Sequence, residues 1–355
     1  MKEIRAGIIG LGDIAAGHIN DMKRSGKIIP YALCDVNREA LYRAGQKYGI
    51  PQERCYTDYK ALLVRDDIDM VSICTPNITH YEIAMEAVSK GKAYALEKPA
   101  AMTLEEARKL KEATLAAGVA NTVCFSYRYR PAVYKAKSIM ESGMLGRIYH
   151  VYAQYIEGKE DNENIPLLWR YRKELAGSGS LGDLGSHILD MVCYLLEGGF
   201  EKVTGCSGIL IPRRQKLDGS GMGEVTTEDY FHALAMLDEG ISATFAFSKF
   251  AWGRRNAHRV EIYGSKGGMI YTLEKGVDSL KLCLGEEQNI AGLWTEVDLD
   301  RNVAGQMDCF GEILQGGSNA TPATIEDGCY VQAVMEAMIS ADSSQCWKDV
   351  AEFTD

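Results

Sequence analysis

The chain has 355 residues, which is more than one ordinary domain needs and enough for two. Hydrophobic residues make up 46% of it and charged residues 25%, as in soluble globular proteins, and the formal net charge of −10 disfavours nucleic acid and anionic membranes as partners. No stretch reaches the roughly 18 apolar residues of a membrane span, and the first apolar run is too short for a signal peptide. We therefore expect a cytoplasmic protein that binds a small molecule.

The ten cysteines predict reduced thiols rather than disulfides or a metal site. None belongs to a CxxC pair, and several, such as Cys34, Cys74 and Cys124, lie within apolar runs. A cysteine in such a run behaves as a small hydrophobic residue. We expect no bound metal, and the thiols agree with a cytoplasmic location.

The first 125 residues alternate apolar β-type runs with helical patterns. The helix LEEARKLKEATLAAG, for example, has a capping box at Thr103 and Glu106 and a C-cap at Gly118. Such alternation predicts a parallel sheet that is buried on both faces, with ligands beyond the carboxyl ends of its strands. The predicted strands are RAGIIG, IIPYALCD, RCYT, DMVSICT, KAYALE and ANTVCFS.

The first strand ends in the G-x-G-x-x-A motif GLGDIA. Gly10 permits a tight turn, Gly12 lets the backbone approach a pyrophosphate, and Ala15 allows close packing of helix and strand. The pyrophosphate would contact this loop, including Asp13 and Ile14, at the N-terminus of the next helix. Residues 1–125 are therefore predicted to form a Rossmann domain with a doubly wound sheet that binds a dinucleotide.

The second strand ends at Asp35, 25 residues after Gly10. This spacing suits a carboxylate that binds the adenosine ribose and repels a 2′-phosphate, so NAD is favoured over NADP. Arg38 is close enough in sequence to pair with Asp35 or to bind a phosphate. The alternative for Asp35 is a simple N-cap of the next helix.

The fourth strand ends in CTPNITH. Thr75, Asn77 and His80 are candidates for cofactor contacts at this strand end. Asn77 could instead cap the following helix, and His80 could lie on the helix surface.

The fifth strand ends in two adjacent charges, Glu97 and Lys98, before Pro99. Charges at the end of a buried strand cost free energy unless they are solvated, paired or used. At this edge of the sheet they would face the cofactor. Glu97 could pair with Lys98, contact the cofactor or keep the lysine charged.

The pattern changes after about Arg128. A helix is predicted to begin at Pro131, and alternating runs joined by short turns, such as the hairpin MLDEGISATF, indicate a large open, mostly antiparallel sheet. We assign residues 126–355 to one α+β domain that binds the substrate. Because aromatic residues lie on both faces of its sheet, we expect a homo-oligomer. The runs are RIYHVYAQYIEG, KVTGCSGILIP, TEDYFHALAMLDEG, ISATFAFSKFAWG, HRVEIYG and GMIYTLE, followed by a C-terminal helix, EDGCYVQAVMEAMISADSS.

A second group of charges lies in AGSGSLGDLGSHILDMVCYLL. Asp183 and His187 are four residues apart, so on a helix they face the same side. A carboxylate that orients an imidazole makes a reasonable acid/base pair. The alternative is a helix start in which Asp183 caps and His187 packs.

Together these segments resemble the Gfo/Idh/MocA family of NAD(P)-dependent sugar and cyclitol oxidoreductases. The resemblance runs through GIIGLGDIAAGH, the strand end with Lys98, FSYRYRPA and the segment with Asp183 and His187, in family order to about residue 199. It implies that Lys98, Asp183 and His187 are catalytic and that hydride passes from a secondary alcohol to C4 of NAD⁺. Either Lys98 or His187 would accept the hydroxyl proton.

FSYRYRPA and LLWRYRKELAGSGSLGDLGSH further resemble the branch with levoglucosan dehydrogenase-like and glycoside 3-dehydrogenase-like enzymes. This implies oxidation of a ring hydroxyl, at C3 of a glucose-type pyranose or glycoside. Alternatives are an inositol dehydrogenase, a glycosidase that oxidises C3 transiently, and an NAD-responsive regulator. The sugar site would be lined by Tyr127, Arg128, Tyr129, Tyr155, Trp169 and Arg170, unless these form a hinge between domains.

Overall fold

A computed structural model describes residues 3–158, 160–317 and 322–354. The chain divides into two compact units. The first comprises Met1–Phe125 and Ala304–Gln332, and the second comprises Ser126–Val303 and Ala333–Asp355. In the described residues, which include all ten cysteines, every cysteine is a free thiol.

The strands of the described residues are, in chain order, β1 (Ile4–Ile9), β2 (Ile28–Cys34), β3 (Cys55–Tyr56), β4 (Met70–Ile73), β5 (Ala93–Leu96), β6 (Asn121–Val123), β7 (Ile148–Ile156), β8 (Phe200–Gly208), β9 (Arg213–Gln215), β10 (Met222–Glu224), β11 (Tyr230–Leu237), β12 (Ile241–Ser248), β13 (Ala257–Gly264), β14 (Gly267–Glu274), β15 (Val277–Leu284), β16 (Thr295–Glu296) and β17 (Lys348–Asp349).

The α-helices of the described residues are α1 (Asp13–Ser25), α2 (Arg38–Tyr48), α3 (Tyr59–Leu63), α4 (His80–Ser89), α5 (Leu104–Ala117), α6 (Pro131–Glu141), α7 (Lys173–Ala176), α8 (Ser186–Leu196), α9 (Gly285–Ala291), α10 (Gln306–Leu314), α11 (Ile325–Ser344) and α12 (Ala351–Thr354). None of these helices combines the length and the hydrophobicity that crossing a membrane requires.

The first unit contains the parallel sheet that the sequence predicts. Its strand order, within the described residues, is β3-β2-β1-β4-β5-β6. The central strands β4 and β5 are buried along their whole length, so both faces of the sheet are covered. The predicted caps of α5 are also confirmed, because Thr103 accepts a hydrogen bond from the Glu106 amide and Gly118 is left-handed.

The first unit also contains a segment that the sequence analysis assigned to the second domain. Residues 304–332 return to it, because the Gln306 side chain donates to the carbonyl of Val123 and the Met307 amide donates to Asp21. The amide of Val123 also donates to the carbonyl of Ala323. These partners are about 200 residues or more apart in the chain, so local sequence patterns do not predict their contacts.

The second unit is built on a large mixed, mostly antiparallel sheet, as predicted. Its order in the described residues is β16-β15-β14-β13-β7-β12-β11-β8-β17, and only the β7–β12 pair among the long strands is parallel. The predicted hairpin between β11 and β12 and the C-terminal helix α11 are present. The sequence did not predict β15, or the small hairpin of β9 and β10.

Candidate active site

The loop between β1 and α1 has the shape that the glycine motif predicts. Gly10 has φ +86°, and a Cβ there would lie 2.7 Å from the carbonyl oxygen of Cys74. Gly12 is the N-cap of α1 and offers no side-chain cap, and no described atom lies within 4 Å of where its Cβ would be. The first amides of α1 therefore remain available to an anion beside open space.

Asp35 connects the end of β2 to this loop. Its Oδ2 accepts a hydrogen bond from the Leu11 amide at 2.7 Å, and its Oδ1 accepts one from the Asn37 amide at 2.8 Å. The N-cap of α2 is Asn37, so the alternative in which Asp35 caps this helix is wrong. Arg38 is the exposed first residue of α2.

Thr75 and His80 surround the turn after β4. The buried Oγ1 of Thr75 has no hydrogen-bond partner among the described residues, which leaves it available to a ligand. His80 is fully buried, with Nδ1 2.8 Å from the Pro99 carbonyl and Nε2 2.9 Å from the Thr75 carbonyl, and burial lowers its pKa. Asn77 begins a 3₁₀ turn and does not cap α4, whose N-cap is Thr79. His80 thus ties two strand ends together.

Glu97 pairs with a histidine that the sequence analysis missed. His18 of α1 places Nε2 2.8 Å from Glu97 Oε1 and Nδ1 2.7 Å from Ser72 Oγ. The other oxygen of Glu97 accepts a hydrogen bond from the Lys98 amide at 3.2 Å. The Lys98–Pro99 turn is therefore attached to α1 through Glu97 and to α4 through His80.

Both members of this pair are buried and charged. Burial alone would disfavour both charges, but the pKa of Glu97 is lowered by its hydrogen bond to His18. The pKa of His18 lies well above its usual 6.5, with Cys74 and Cys124 beside the ring and the Glu97 carboxylate in contact with it. A histidine on the buried face of α1, among Ala15, Ile19 and Met22, was the available signal, because a buried polar group needs a partner.

The same pair belongs to the one His, Cys and carboxylate group in the described residues that could hold a metal ion, formed by His18, Glu97 and Cys124. Burial raises the pKa of the Cys124 thiol to about 11. Without a metal ion the thiol is therefore protonated. His18 and Glu97 already satisfy each other, so we assign the group as an ion pair.

In the second unit, Asp183 lies in a π-helical turn, Leu181–Gly185, that leads directly into α8. The four-residue spacing had predicted that Asp183 and His187 lie on one regular α-helix. The structure differs, because Asp183 lies in the π-helical turn and His187 lies in α8. A Cβ on Gly182 would lie 2.3 Å from Ser178 Oγ, and one on Gly185 would lie 2.9 Å from the Phe247 ring. These glycines permit a widened turn packed closely against β12, and such turns are frequent at functional sites.

Glu228 holds the start of this turn. Its carboxylate accepts hydrogen bonds from the amides of Gly179 at 2.8 Å and Leu181 at 2.9 Å, and its carbonyl accepts one from the Ser180 amide. A Cβ on Gly179 would lie 2.0 Å from that carbonyl oxygen. Glu228 was not a sequence candidate, because its partners are about 50 residues away.

His187 lies among aromatic rings. The Tyr127 ring centroid is 4.6 Å from that of His187 in an edge-to-face arrangement, and the Tyr155 centroid is 6.4 Å from it. The two tyrosine hydroxyls are 3.2 Å apart, and both donate to Asn256 Oδ1. Tyr127, Tyr155 and His187 thus lie together, and Asn256, which the sequence analysis did not name, joins them.

Arg128 has a different environment from the one predicted. It is buried, with Nε 2.8 Å from Asp190 Oδ2 and Nη2 2.5 Å from Asp190 Oδ1, and its guanidinium lies over the ring of Tyr194. Asp190 follows His187 on α8 by three residues. We therefore expect Arg128 to position α8, while Tyr129 ends the 3₁₀ helix Ser126–Tyr129 and is half-buried.

Trp169 and Arg170 open the 3₁₀ helix Trp169–Tyr171. The Arg170 guanidinium is 5.4 Å from the Trp169 ring centroid, and the Arg170 carbonyl accepts a hydrogen bond from Thr227. An indole beside a guanidinium offers the apolar face and the planar donors that suit a sugar ring.

Asp183 also contacts Lys249, a buried residue that was not a sequence candidate. The Lys249 ammonium lies 3.3 Å from Asp183 Oδ2 and 3.4 Å from Glu160 Oε2.

Two family models match the chain. The model for the oxidoreductase family with an NAD-binding Rossmann fold matches residues 4–125, and the model for the GFO/IDH/MocA C-terminal domain matches residues 133–270. The chain belongs to the Gfo/Idh/MocA oxidoreductase family.

Members of the Gfo/Idh/MocA family that resemble this chain include sugar dehydrogenases. Levoglucosan dehydrogenase of Pseudarthrobacter phenanthrenivorans is 28% identical over 355 residues, which covers 91% of this chain and 90% of that protein. D-glucoside 3-dehydrogenase of Escherichia coli is 31% identical over 202 residues, covering 56% and 55%. A solved structure of levoglucosan dehydrogenase in complex with NADH and L-sorbose has a TM-score of 0.89 at 27% identity, over 99% of both chains.

As a Gfo/Idh/MocA protein this chain is an NAD-dependent oxidoreductase. Its first unit fits that cofactor. The uncapped N-terminus of α1 suits the pyrophosphate, and the unpartnered Thr75 hydroxyl is a donor or acceptor at the neighbouring strand end. Asp35, already bonded to the glycine loop, presents the carboxylate that favours a ribose hydroxyl over a 2′-phosphate.

Proposed function

We propose that the protein oxidises a ring secondary hydroxyl, at C3 of a glucose-type pyranose or glycoside, to the ketone. Support for the position comes from the name of its relative, D-glucoside 3-dehydrogenase. Support for a sugar comes above all from the grouping of His187, Tyr127, Tyr155 and Asn256, where a titratable ring stands beside aromatic faces and hydroxyl groups. Such surfaces match the C–H faces and hydroxyls of a pyranose.

In the proposed reaction, NAD⁺ accepts the hydride when it is bound. The carbon loses a hydride, the hydroxyl loses its proton, and the products are a ketone, NADH and H⁺. The proposed catalytic residues are Lys98, Asp183 and His187. Lys98 and His187 share two tasks, accepting the proton and donating a hydrogen bond to the oxygen, and a base near working pH contributes about 10²–10⁴-fold.

Lys98 is suited to its task by rigid attachment rather than by a long loop. Lys98 is the second residue after β5, and its amide donates a hydrogen bond to Glu97. The carbonyl of the next residue, Pro99, is hydrogen-bonded to His80. A reacting group held on a rigid element loses less activity to misplacement. Asp183 then orients His187 and favours its protonated form as the hydroxyl proton arrives.

The test measures NADH absorbance with a panel of glucose, alkyl glucosides, levoglucosan and myo-inositol. We expect turnover with pyranoses or glycosides, and transfer of deuterium from a 3-deuterated substrate to NADH. Lys98→Ala should lose most of this turnover, and Lys90→Ala, which removes an exposed lysine paired with Glu86, should not.

Other outcomes would contradict the proposal. A preference for myo-inositol would indicate a cyclitol dehydrogenase. Release of an aglycone with catalytic NAD⁺ and no net NADH would indicate a glycosidase. Tight NADH binding without oxidation of any polyol would indicate a regulator, and retention of deuterium at C3 would move the reaction to another carbon.

We also propose that the exposed face of the large sheet joins copies of this chain. Tyr152 and Leu234 are exposed there, whereas Tyr155, Phe231 and Phe245 on the opposite face are buried. Large exposed apolar side chains on an open sheet favour association. Light scattering after gel filtration should give a multiple of the chain mass, and Tyr152→Asp should reduce it.

A further inference from the structure

We propose that Lys249, held in place by Glu160, is a positioning residue for the reaction and fixes the charged carboxylate of Asp183. The inference rests on the proposed function, because it assumes that Asp183 serves the chemistry.

The geometry is a row of three charges. Lys249 follows β12 directly, and its amide donates to the carbonyl of Asp229 at 3.0 Å. Its ammonium lies between Glu160 Oε2 at 3.4 Å and Asp183 Oδ2 at 3.3 Å. The side chains of Lys249 and Glu160 are 2% and 4% exposed, whereas that of Asp183 is 37% exposed. The row therefore runs from the protein interior toward an accessible carboxylate.

Burial explains why the row needs both carboxylates. An ammonium without a partner in the interior is strongly unfavourable, and desolvation by itself would lower the pKa of Lys249. Asp183 and Glu160 more than reverse this and raise the pKa, so Lys249 stays charged. Glu160 is as buried as the lysine and balances its charge, and the remaining negative charge of the row lies on Asp183.

The inner end of the row is anchored by the backbone. The Glu160 carbonyl accepts a hydrogen bond from Arg214 Nη2 at 2.6 Å, and the Glu160 amide donates to the Lys249 carbonyl at 3.4 Å. Arg214 is fully buried, and its guanidinium lies 4.3 Å from the Tyr171 ring centroid. Glu160 thus has little freedom to follow Lys249, and the ammonium is held at a defined place.

The outer end needs this support because its own backbone is unusual. Asp183 lies in the π-helical turn between Gly182 and Gly185, where small residues constrain the backbone weakly. The contact with Lys249 adds a fixed point for the Asp183 carboxylate itself. Misplacement of a reacting group by about 1 Å can cost about 100-fold in rate, so a contact at this atom matters for catalysis.

The row also predicts a pH effect with a definite sign. A carboxylate that loses a neighbouring ammonium binds its proton more tightly, and one that loses a neighbouring carboxylate binds it less tightly. Activity that requires ionised Asp183 falls as the pH falls. The acid limb of the profile should therefore move up when Lys249 is neutralised and down when Glu160 is neutralised. The other charged or titratable groups facing this row are Tyr155, Arg170, Tyr171, Arg214, Glu228 and Asp229, with His187 following on α8.

The test compares Lys249→Met, Lys249→Arg and Glu160→Gln with the wild type, by kcat/KM against pH on the best sugar substrate. We expect Lys249→Met to lower kcat/KM by about 10- to 100-fold and to raise the acid limb by about one pH unit. Lys249→Arg should restore the limb, because it restores the charge. Glu160→Gln should move the limb in the opposite direction, which a merely structural role would not do.

Lys137→Met is the matched control. Lys137 is also a buried lysine of the second unit between two carboxylates, those of Glu197 at 2.5 Å and Glu141 at 3.7 Å. Its loss should lower thermal stability without moving the acid limb. NADH binding, measured by fluorescence, shows for each variant that the first unit is intact.

Two results would overturn the inference. One is a folded Lys249→Met enzyme with an unshifted acid limb and nearly full activity. The other, which applies if Lys249→Met does not fold, is a Glu160→Gln enzyme whose limb does not move. Asp183→Asn separates these results from failure of the proposed function. If that variant keeps full turnover, the role of Asp183 itself is wrong, whereas loss of turnover there with unmoved limbs in the other variants refutes only the role of Lys249.

Discussion

Each unit of this enzyme buries a cation beside a carboxylate at the end of a strand, but the two clusters differ in what they hold. In the first unit, His18 and Glu97 are both buried, and the spare carboxylate oxygen binds the backbone amide of Lys98. In the second, Lys249 is buried with Glu160 and contacts the partly exposed side chain of Asp183. The first cluster holds the backbone at Lys98, and the second contacts the carboxylate of Asp183, for which we propose a catalytic role.

We expect the greatest loss of stability when the buried His18–Glu97 pair of the first unit is broken. Glu97→Gln would leave a buried imidazolium without its carboxylate, and removing one member of such a pair costs about 3–5 kcal/mol. Urea unfolding followed by circular dichroism measures this change. Glu105→Gln, which removes an exposed carboxylate paired with Lys109, should change stability little. Equal stabilities of the two variants would mean that the His18–Glu97 pair is not ionised.

A variant with a smaller expected effect tests the second cluster. Gly185→Ala would place a Cβ 2.9 Å from the buried Phe247 ring and 3.0 Å from Leu181 Cδ1, so the π-helical turn must shift, at a cost of about 1–3 kcal/mol. Turnover should fall more than stability suggests, because Asp183 moves with the turn. Gly17→Ala is the control, since its Cβ meets nothing within 4 Å among the described residues. Full activity of Gly185→Ala would show that the turn need not be held so closely.

The pH dependence of stability follows from the first cluster. The pKa of His18 is raised above 6.5, so its contribution is complete below that pH and is lost as the pH rises through the raised value. The pKa of Glu97 is lowered below 4.5, so its contribution is present above that pH and is lost as the pH falls through the lowered value.

The measurement is the difference in urea midpoint between the wild type and the double variant His18→Gln, Glu97→Gln. As the pH rises from 6.5 through the raised pKa of His18, this difference should shrink. A difference that stays constant across this range would contradict the assigned ion pair.

The smallest expected effect is that of metal removal. His18, Glu97 and Cys124 lie close enough to bind an ion, but the assigned ion pair predicts that turnover is unchanged after dialysis against EDTA. If EDTA removes the activity and Zn²⁺ restores it, the group is a metal site rather than an ion pair.

The sequence analysis succeeded where the signals are local. The glycine turn at Gly10, the cap at Thr103 and the charged strand end at Lys98 each follow from neighbouring residues. Asp183 and His187 became candidates through their spacing, although the turn that carries Asp183 is wider than that spacing assumed.

The residues that were missed have partners far away in the chain. His18 meets Glu97 79 residues later, and Arg214 meets Glu160 54 residues earlier. Such pairs depend on sheet order, and sheet order in the second unit is not determined by local patterns. A buried charge in an apolar run, such as Lys249 in FSKFAW, does predict that a partner exists, but not which residue it is.

The return of residues 304–332 to the first unit has a consequence for synthesis. While a ribosome makes this chain, β6 emerges long before Ala323, whose carbonyl binds the amide of Val123, and before α10, whose Met307 amide binds Asp21. The nucleotide-binding unit therefore remains incomplete while most of the second unit is translated. Domains that are contiguous in sequence can fold in the order in which they emerge. In this protein neither unit is contiguous in sequence, and the first is completed only after most of the second has been made.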